Sequence, residues 1–246
     1  MYNNIYSFCK VRNEGNIFKN RDLPTPRVKF LIDLIQKASI DFRVDRFQIA
    51  GAFGYNIIME GSSDRMVVAH HDIVNPLIDN ANDNSASCIN AIMIKKLMPQ
   101  VNVILLDGEE CGGLGSQRVS EQINAGLFGT IDWILNLELT GRGGKNFFIG
   151  NYLGKLQSHI KSIFDCPVID TPFNDSVIFR RNGIDSCVIN PLPTLESGTS
   201  GVRLRDGRYL DHSMLMNCHS QRDTLSTIST HDMKEFVEEV VIKILA

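Results

Sequence analysis

Apolar residues recur at helical spacing early in the chain, where Val28, Leu31, Ile35 and Ala38 form one stripe behind Pro24 and Pro26. A first helix is predicted there. The next stretch, FRVDRFQIA, alternates, and YNIIMEG follows it after the turn GAFG. Both read as strands, and a third, RMVVAH, ends at His70. Residues 85–97 are apolar at helical spacing and stop before Pro99, as a helix should. VNVILLD and IDWILNLEL are short runs rich in branched residues, of the kind buried in parallel sheets. LGKLQSHIKSIF and NDSVIFRRNG read as helices and IDSCVIN as a strand. A last helix over about 231–245, capped by Thr230, turns Phe236, Val237, Val240, Val241 and Ile244 inward. The segment PLPTLESGTSGVRLRDGRYLD has no such rhythm and predicts a loop of about 20 residues, a length that is functional or disordered in a compact domain.

Strands alternating with helices predict the α/β class, with a mixed, largely parallel central sheet flanked by helices and antiparallel strands early in the chain. No linker composition divides residues 1–246, so one domain is expected. The 25 Lys and Arg against 28 Asp and Glu leave a net charge of −3, which argues against a nucleic-acid partner. With 43% apolar and 22% charged residues, disorder is not expected. No apolar run approaches the ~18–20 residues of a membrane span. Lys10, Arg12 and Glu14 interrupt any secretory core near the N-terminus. Six cysteines without such a signal read as reduced thiols in a cytoplasmic protein.

Chemistry-bearing residues cluster just after the predicted strands, where parallel sheets bind ligands. His70-His71-Asp72 follows RMVVA, Asp107-Gly108-Glu109-Glu110 follows VNVILL, and Glu138 closes IDWILNLE. Asn82-Asp83-Asn84 precedes the helix from Ser85, and Cys218-His219 leads a polar run near the C-terminus. Each has a bland reading. Asp83 could cap the following helix, Glu109-Glu110 could be a solvated pair, and Cys88, Cys111 and Cys218 read as small core residues. Glu138 resists such a reading, because an unpaired carboxylate ending an apolar strand is costly to bury. Together the set supplies the His nitrogens and carboxylates of a two-zinc site, in which one carboxylate must reach both ions.

The segments AHHD, ANDNSAS, DGEECGGLGS, NLELTG and CHSQRDT resemble, in order, those of the zinc aminopeptidase family 28 that contains bacterial leucine aminopeptidases and the animal glutaminyl cyclases. Thirteen residues separate His70 from Asp83, 26 separate Asp83 from Glu109, 28 separate Glu110 from Glu138, and 81 separate Glu138 from His219. The short first interval resembles this family rather than related dizinc peptidases, where an insertion lengthens it. The resemblance implies a zinc exopeptidase fold of the phosphorylase/hydrolase-like type. It implies one zinc on His70, Asp83 and Glu138, and a second on Asp83, Glu110 and His219. Asp72 would orient His70 and Glu109 would be the general base. A cis peptide is implied between Asp83 and Asn84. The implied activity is hydrolysis of N-terminal peptide bonds in a peptide or aminoacyl substrate, by a water that zinc acidifies to a pKa of about 7.

The chain departs from the family in two places. Glu138 stands where Asp is usual, and Cys218 where many members carry an oxyanion-holding Tyr. Tyr209 or Arg205 from the long loop could replace that donor. Two other readings follow from the same residues: a glutaminyl cyclase-like acyltransferase with a single zinc, and a degenerate, non-catalytic binding module.

Overall fold

The alternating and branched segments pair into an eight-stranded sheet. In chain order its strands are β1 (Arg43–Ile49), β2 (Ala52–Met59), β3 (Arg65–His70), β4 (Asn102–Leu106), β5 (Trp133–Leu137), β6 (Phe147–Gly150), β7 (Val168–Ile169) and β8 (Ser186–Pro191). They lie side by side as β1-β2-β4-β3-β5-β8-β6-β7. The computed structural model describes residues 1–11, 24–49, 51–195, 202–204 and 206–246. The central strands β4, β3, β5 and β8 run parallel. β2 pairs antiparallel with β4, β1 antiparallel with β2, and β6 antiparallel with β8. This is the mixed, largely parallel sheet that the pattern predicts.

The helices are α1 (Ile5–Phe8), α2 (Pro26–Lys37), α3 (Ala86–Leu97), α4 (Leu114–Asn124), α5 (Lys155–Ile163), α6 (Asp175–Arg181), α7 (Thr230–Phe236) and α8 (Ile242–Leu245). They cover both faces of the sheet. On β3, Val67 and Ala69 join the core cluster that contains Leu31 of α2, Ile89 of α3 and Ile160 of α5. Met66 and Val68 face the other way, into a cluster with Val119 of α4 and Phe179 of α6. That two-sided burial is why the parallel strands read as continuous apolar runs. The first cluster also unites the chain's ends, with Ile5 and Phe8 packed in the same body as Ile244 and Leu245.

The sequence pattern gives no element for α1, α4, β6 or β7, and it differs from the structure in the long loop and at the last helix. α4 has no apolar stripe. Its buried face is made of Gly115, Ser116, Val119, Ser120 and Gln122. Gly115 is required there, since an added Cβ would lie 2.4 Å from the Asp107 carbonyl oxygen and 2.5 Å from Asn56 Oδ1. The long Pro/Gly/Ser segment carries a small sheet of β9 (Thr194–Leu195), β10 (Val202–Arg203) and β11 (Tyr209–Leu210). The last helix begins at Thr230, and the cap is Ser229, whose hydroxyl accepts from the Asp232 N–H at 3.2 Å.

β3 lies between β4 and β5, so the chain passes from β3 to one side and then crosses back to the other. The carboxyl ends of β3 and β5 therefore flank a topological switch point, where open α/β sheets leave a crevice for ligands.

Candidate metal centre

Six side chains meet at that crevice. His70 is the last residue of β3, Glu138 follows β5, and Glu109 and Glu110 stand on a short turn after β4. Asp83 lies in the turn Ala81–Ser85 that leads into α3, next to a cis Asp83–Asn84 peptide, as the resemblance implies. His219 reaches in from the C-terminal segment with a positive φ of 57°.

Asp83 is not a helix cap. Its Oδ1 lies 3.3 Å from His70 Nε2 and its Oδ2 lies 3.1 Å from His219 Nε2. Glu138 Oε2 lies 3.5 Å from His70 Nε2, and Glu110 Oε2 lies 3.1 Å from His219 Nε2. A tetrahedral ion with bonds of about 2.0–2.1 Å holds its ligand atoms about 3.3–3.4 Å apart. These separations fit that edge length on both sides of Asp83. Among the described residues, three His/carboxylate groups have the spacing to hold an ion: His70 with Asp83 and Glu138, Asp83 with Glu110 and His219, and His70 with Glu109 and Glu110.

The electrostatics fit cations too. Burial pushes the Glu109 carboxyl up to about 10 and the Glu110 carboxyl up to about 7, and neighbouring acids add to both. Burial alone would hold His70 down, but Glu138, Asp72 and Asp83 outweigh it and raise it well above the usual histidine range. Burial would likewise raise Asp83, and the two imidazoles reverse this and lower it. Carboxylates this crowded stay ionised only when positive charge is packed among them.

Backbone and amide donors hold the set in place. Asp72 accepts from the Glu109 and Glu110 N–H groups at 3.2 and 3.1 Å, and its Oδ1 stands 3.4 Å from His70 Nδ1. Asp223 accepts from the Asn82 and Asp83 N–H groups at 2.7 and 3.0 Å, so it carries the turn that aims Asp83. Asn84 and Asn136 donate to the two oxygens of Glu138 at 3.0 and 3.2 Å. Arg27 of α2 is fully buried, donating to the His71 carbonyl and to Ser85 Oγ, both at 2.9 Å. It thereby ties together the loops that carry His70 and Asp83.

Sequence reasoning assigned no role to Asp223, Asn84, Asn136 or Arg27. Asp223 stood in the quoted CHSQRDT segment, and Arg27 shows only as a charge beside the apolar stripe of α2. Asp175, fully buried at the start of α6, was also missed; burial raises its carboxyl to about 7, and its charge acts on Glu109. Two expected candidates turn elsewhere. Asp107 accepts from the Tyr55 N–H at 2.9 Å, and His71 Nε2 lies 2.9 Å from the Tyr55 carbonyl. Cys88 is buried, whereas Cys111 and Cys218 are not core residues: both are partly exposed, and Cys218 lines the cavity over the site. Tyr209 lies in β11 and is not among the residues lining that cavity. Arg205 lies outside the described residues.

The cavity holds about 430 Å³. Its lining combines Glu109, Glu110, Glu138 and His219 with the apolar Phe148, Ile169, Phe173, Val188 and Leu215.

The sequence pattern of peptidase family M28 matches residues 56–243. No curated protein sequence matches the chain significantly. Among solved structures, the LapA aminopeptidase of Legionella pneumophila is similar over 99% of this chain and 70% of its own, with 12% identity and a TM-score of 0.70. The zinc aminopeptidase BSAP of Bacillus subtilis is similar over 80% of this chain and 50% of its own, with 18% identity and a TM-score of 0.60. An Acidobacteriales bacterium glutaminyl cyclase is similar over 99% of this chain and 92% of its own, with 18% identity and a TM-score of 0.70. At these identities the likeness is one of fold.

Proposed function

From a chain that belongs to peptidase family M28, and so from a zinc-dependent peptidase, we propose a dizinc aminopeptidase in one domain over residues 1–246. The observation that carries this reading is Asp83, whose two carboxylate oxygens face two different imidazoles. One ion would be held by His70, Asp83 and Glu138, the other by Asp83, Glu110 and His219. Zinc there supplies a water acidified from a pKa of 15.7 to about 7 and polarises the scissile carbonyl. Glu109 lines the cavity beside these groups and is not needed as a ligand of either set. It accepts the proton of the attacking water and returns it to the leaving amine. Asp72 holds His70 and the Glu109-Glu110 backbone in one register, a positioning role. A cavity of about 430 Å³ admits one or two residues of a peptide, in keeping with trimming from a chain end.

No helix among the described residues is long and apolar enough to cross a membrane. The six cysteines form no disulfide among the described residues, and a cytoplasmic setting is part of the proposed reading. A small peptide is the partner this site fits.

Metal analysis together with a panel of aminoacyl-p-nitroanilides tests the proposal. The expected result is two zincs per chain, activity abolished by a chelator, and activity restored by zinc or cobalt. Full activity without bound metal would overturn it.

Glu138→Ala should weaken one zinc selectively, by more than the roughly 10–100-fold that loss of an outer partner costs, and should lower turnover by orders of magnitude. Glu138→Asp should keep both metals. Zinc titration by calorimetry on the two variants checks this; undiminished binding of two zincs by Glu138→Ala would remove Glu138 from the ligand set.

One observation favours the second reading, glutaminyl cyclisation at a single zinc. The chain covers 92% of the Acidobacteriales glutaminyl cyclase but 50% of BSAP. Zinc stoichiometry separates the two readings.

A further inference from the structure

A second cavity, of about 530 Å³, opens beside β6 and the edge strand β7. Phe147 and Val168 line it, whereas the cavity over the metal centre takes the next residues, Phe148 and Ile169. Successive residues of a strand point to opposite faces of the sheet. The two cavities therefore lie back to back across β6 and β7, and among the described residues none lines both. The metal chemistry makes no use of this second space.

Cations dominate its polar lining. Lys145, Lys161, Arg203 and Arg208 stand there against Asp165 and Asp206, a local positive surplus in a chain whose net charge is −3. Asp206 is committed to Arg208, 2.6 Å from its Nη2, and Lys145 reaches Glu235 only at 3.9 Å. Lys161, in the last turn of α5, and Arg203, at the end of β10, make no ion pair among the described residues. One exposed cation without a partner is ordinary. Two of them, brought from distant segments to one concavity, raise the local potential for an anion. The rest of the lining is hydrocarbon, from Phe164, Pro167, Val168 and Leu204. The Phe164 ring is fixed edge-to-face against Phe147, with centroids 5.3 Å apart and planes at 84°. A concavity of this size, with apolar walls and a few convergent polar groups, is the usual form of a small-molecule site.

We infer that this second cavity binds an organic phosphate, its phosphate group between Lys161 and Arg203 and a flat, largely apolar ring against Phe164 and Pro167. The guanidinium supplies a planar fork that bonds phosphate in bidentate fashion, and the ammonium supplies a point charge. A phosphate monoester carries about −1.5 to −2 at pH 7, which matches the excess of two cations over acids in the lining. A monocarboxylate carries half of that. Inorganic phosphate would leave the hydrocarbon wall unfilled, and an uncharged ring would leave the cations unpaired. The inference is independent of whether the metal centre hydrolyses peptides or cyclises glutamine.

The test is calorimetric titration of the zinc-loaded protein, with leucine hydroxamate in excess to occupy the metals, because phosphates also ligate zinc. The probes are phenyl phosphate and AMP, with inorganic phosphate and adenosine as the two halves taken separately. The expected result is one site per chain that binds phenyl phosphate or AMP at least about tenfold more tightly than either half, and that loses about tenfold or more in affinity in Lys161→Ala and in Arg203→Ala. Both side chains are exposed, so both variants should fold and keep their zinc. Binding that the hydroxamate abolishes places the phosphate on the metals and overturns the inference. Equal affinity in wild type and both variants overturns it, as does the absence of any heat with phenyl phosphate and AMP. Inorganic phosphate bound as tightly as both esters removes the ring from the site and overturns the ligand class.

Discussion

Glu109→Gln is expected to leave both zincs bound and to remove turnover. The amide has the size and shape of the carboxylate, so the short turn after β4 keeps its form. The Asp72 contacts survive as well, because they use the backbone N–H groups of residues 109 and 110 rather than the side chain. What the amide cannot do is accept a proton from water and hand it on to the leaving amine. General base catalysis contributes roughly 10²–10⁴-fold, and kcat should fall by that factor or more at unchanged zinc content. Glu110→Gln is the contrasting variant. Its Oε2 stands 3.1 Å from His219 Nε2, so it should lose one metal as well as activity. Steady-state kinetics with an aminoacyl-p-nitroanilide, run beside zinc analysis of the same samples, checks both. Near wild-type kcat in Glu109→Gln would remove the base assignment and leave the metal ligands untouched.

Asp83→Ala should have the widest effect of any single ligand change, dropping zinc content from two per chain to below one. Removing Glu138 or Glu110 takes one carboxylate from one group, whereas Asp83 faces His70 with one oxygen and His219 with the other. Without it, both groups fall to one imidazole and one carboxylate, short of the three protein ligands of a catalytic zinc site. The reading of Asp83 as a helix cap makes a different forecast: two zincs retained, with stability reduced by about 0.5–2 kcal/mol. Calorimetric zinc titration distinguishes the outcomes directly. Two tightly bound zincs in Asp83→Ala would end the shared-carboxylate reading.

The candidate ligands were legible in the chain because of where they stand. His70 and Glu138 terminate apolar runs that can only be buried strands, and a charged or titratable group at such a place requires a partner. The strands themselves were legible because burial on both faces leaves an unbroken apolar record, as in Asn102–Leu106 and Trp133–Leu137. α4 was not, because its buried face is made of small and polar residues that pack against α6 and β2. The small sheet in the long loop was not, since its two-residue strands are too short to show a period. The cap at Ser229 rather than Thr230 turned on one hydrogen bond to Asp232.

By itself, then, the sequence determined the α/β class, the order of its main strands and helices, and the residues that could carry metal chemistry, because each is recorded in neighbouring positions along the chain. Tertiary structure alone decided what stands opposite those residues. Asp223 binds a turn 140 positions away, and Arg27 joins the His71 and Ser85 loops from an early helix. Periodicity reports which face of an element is buried. The partner on that face is set by the packing of distant segments, and so is the aim of Asp83.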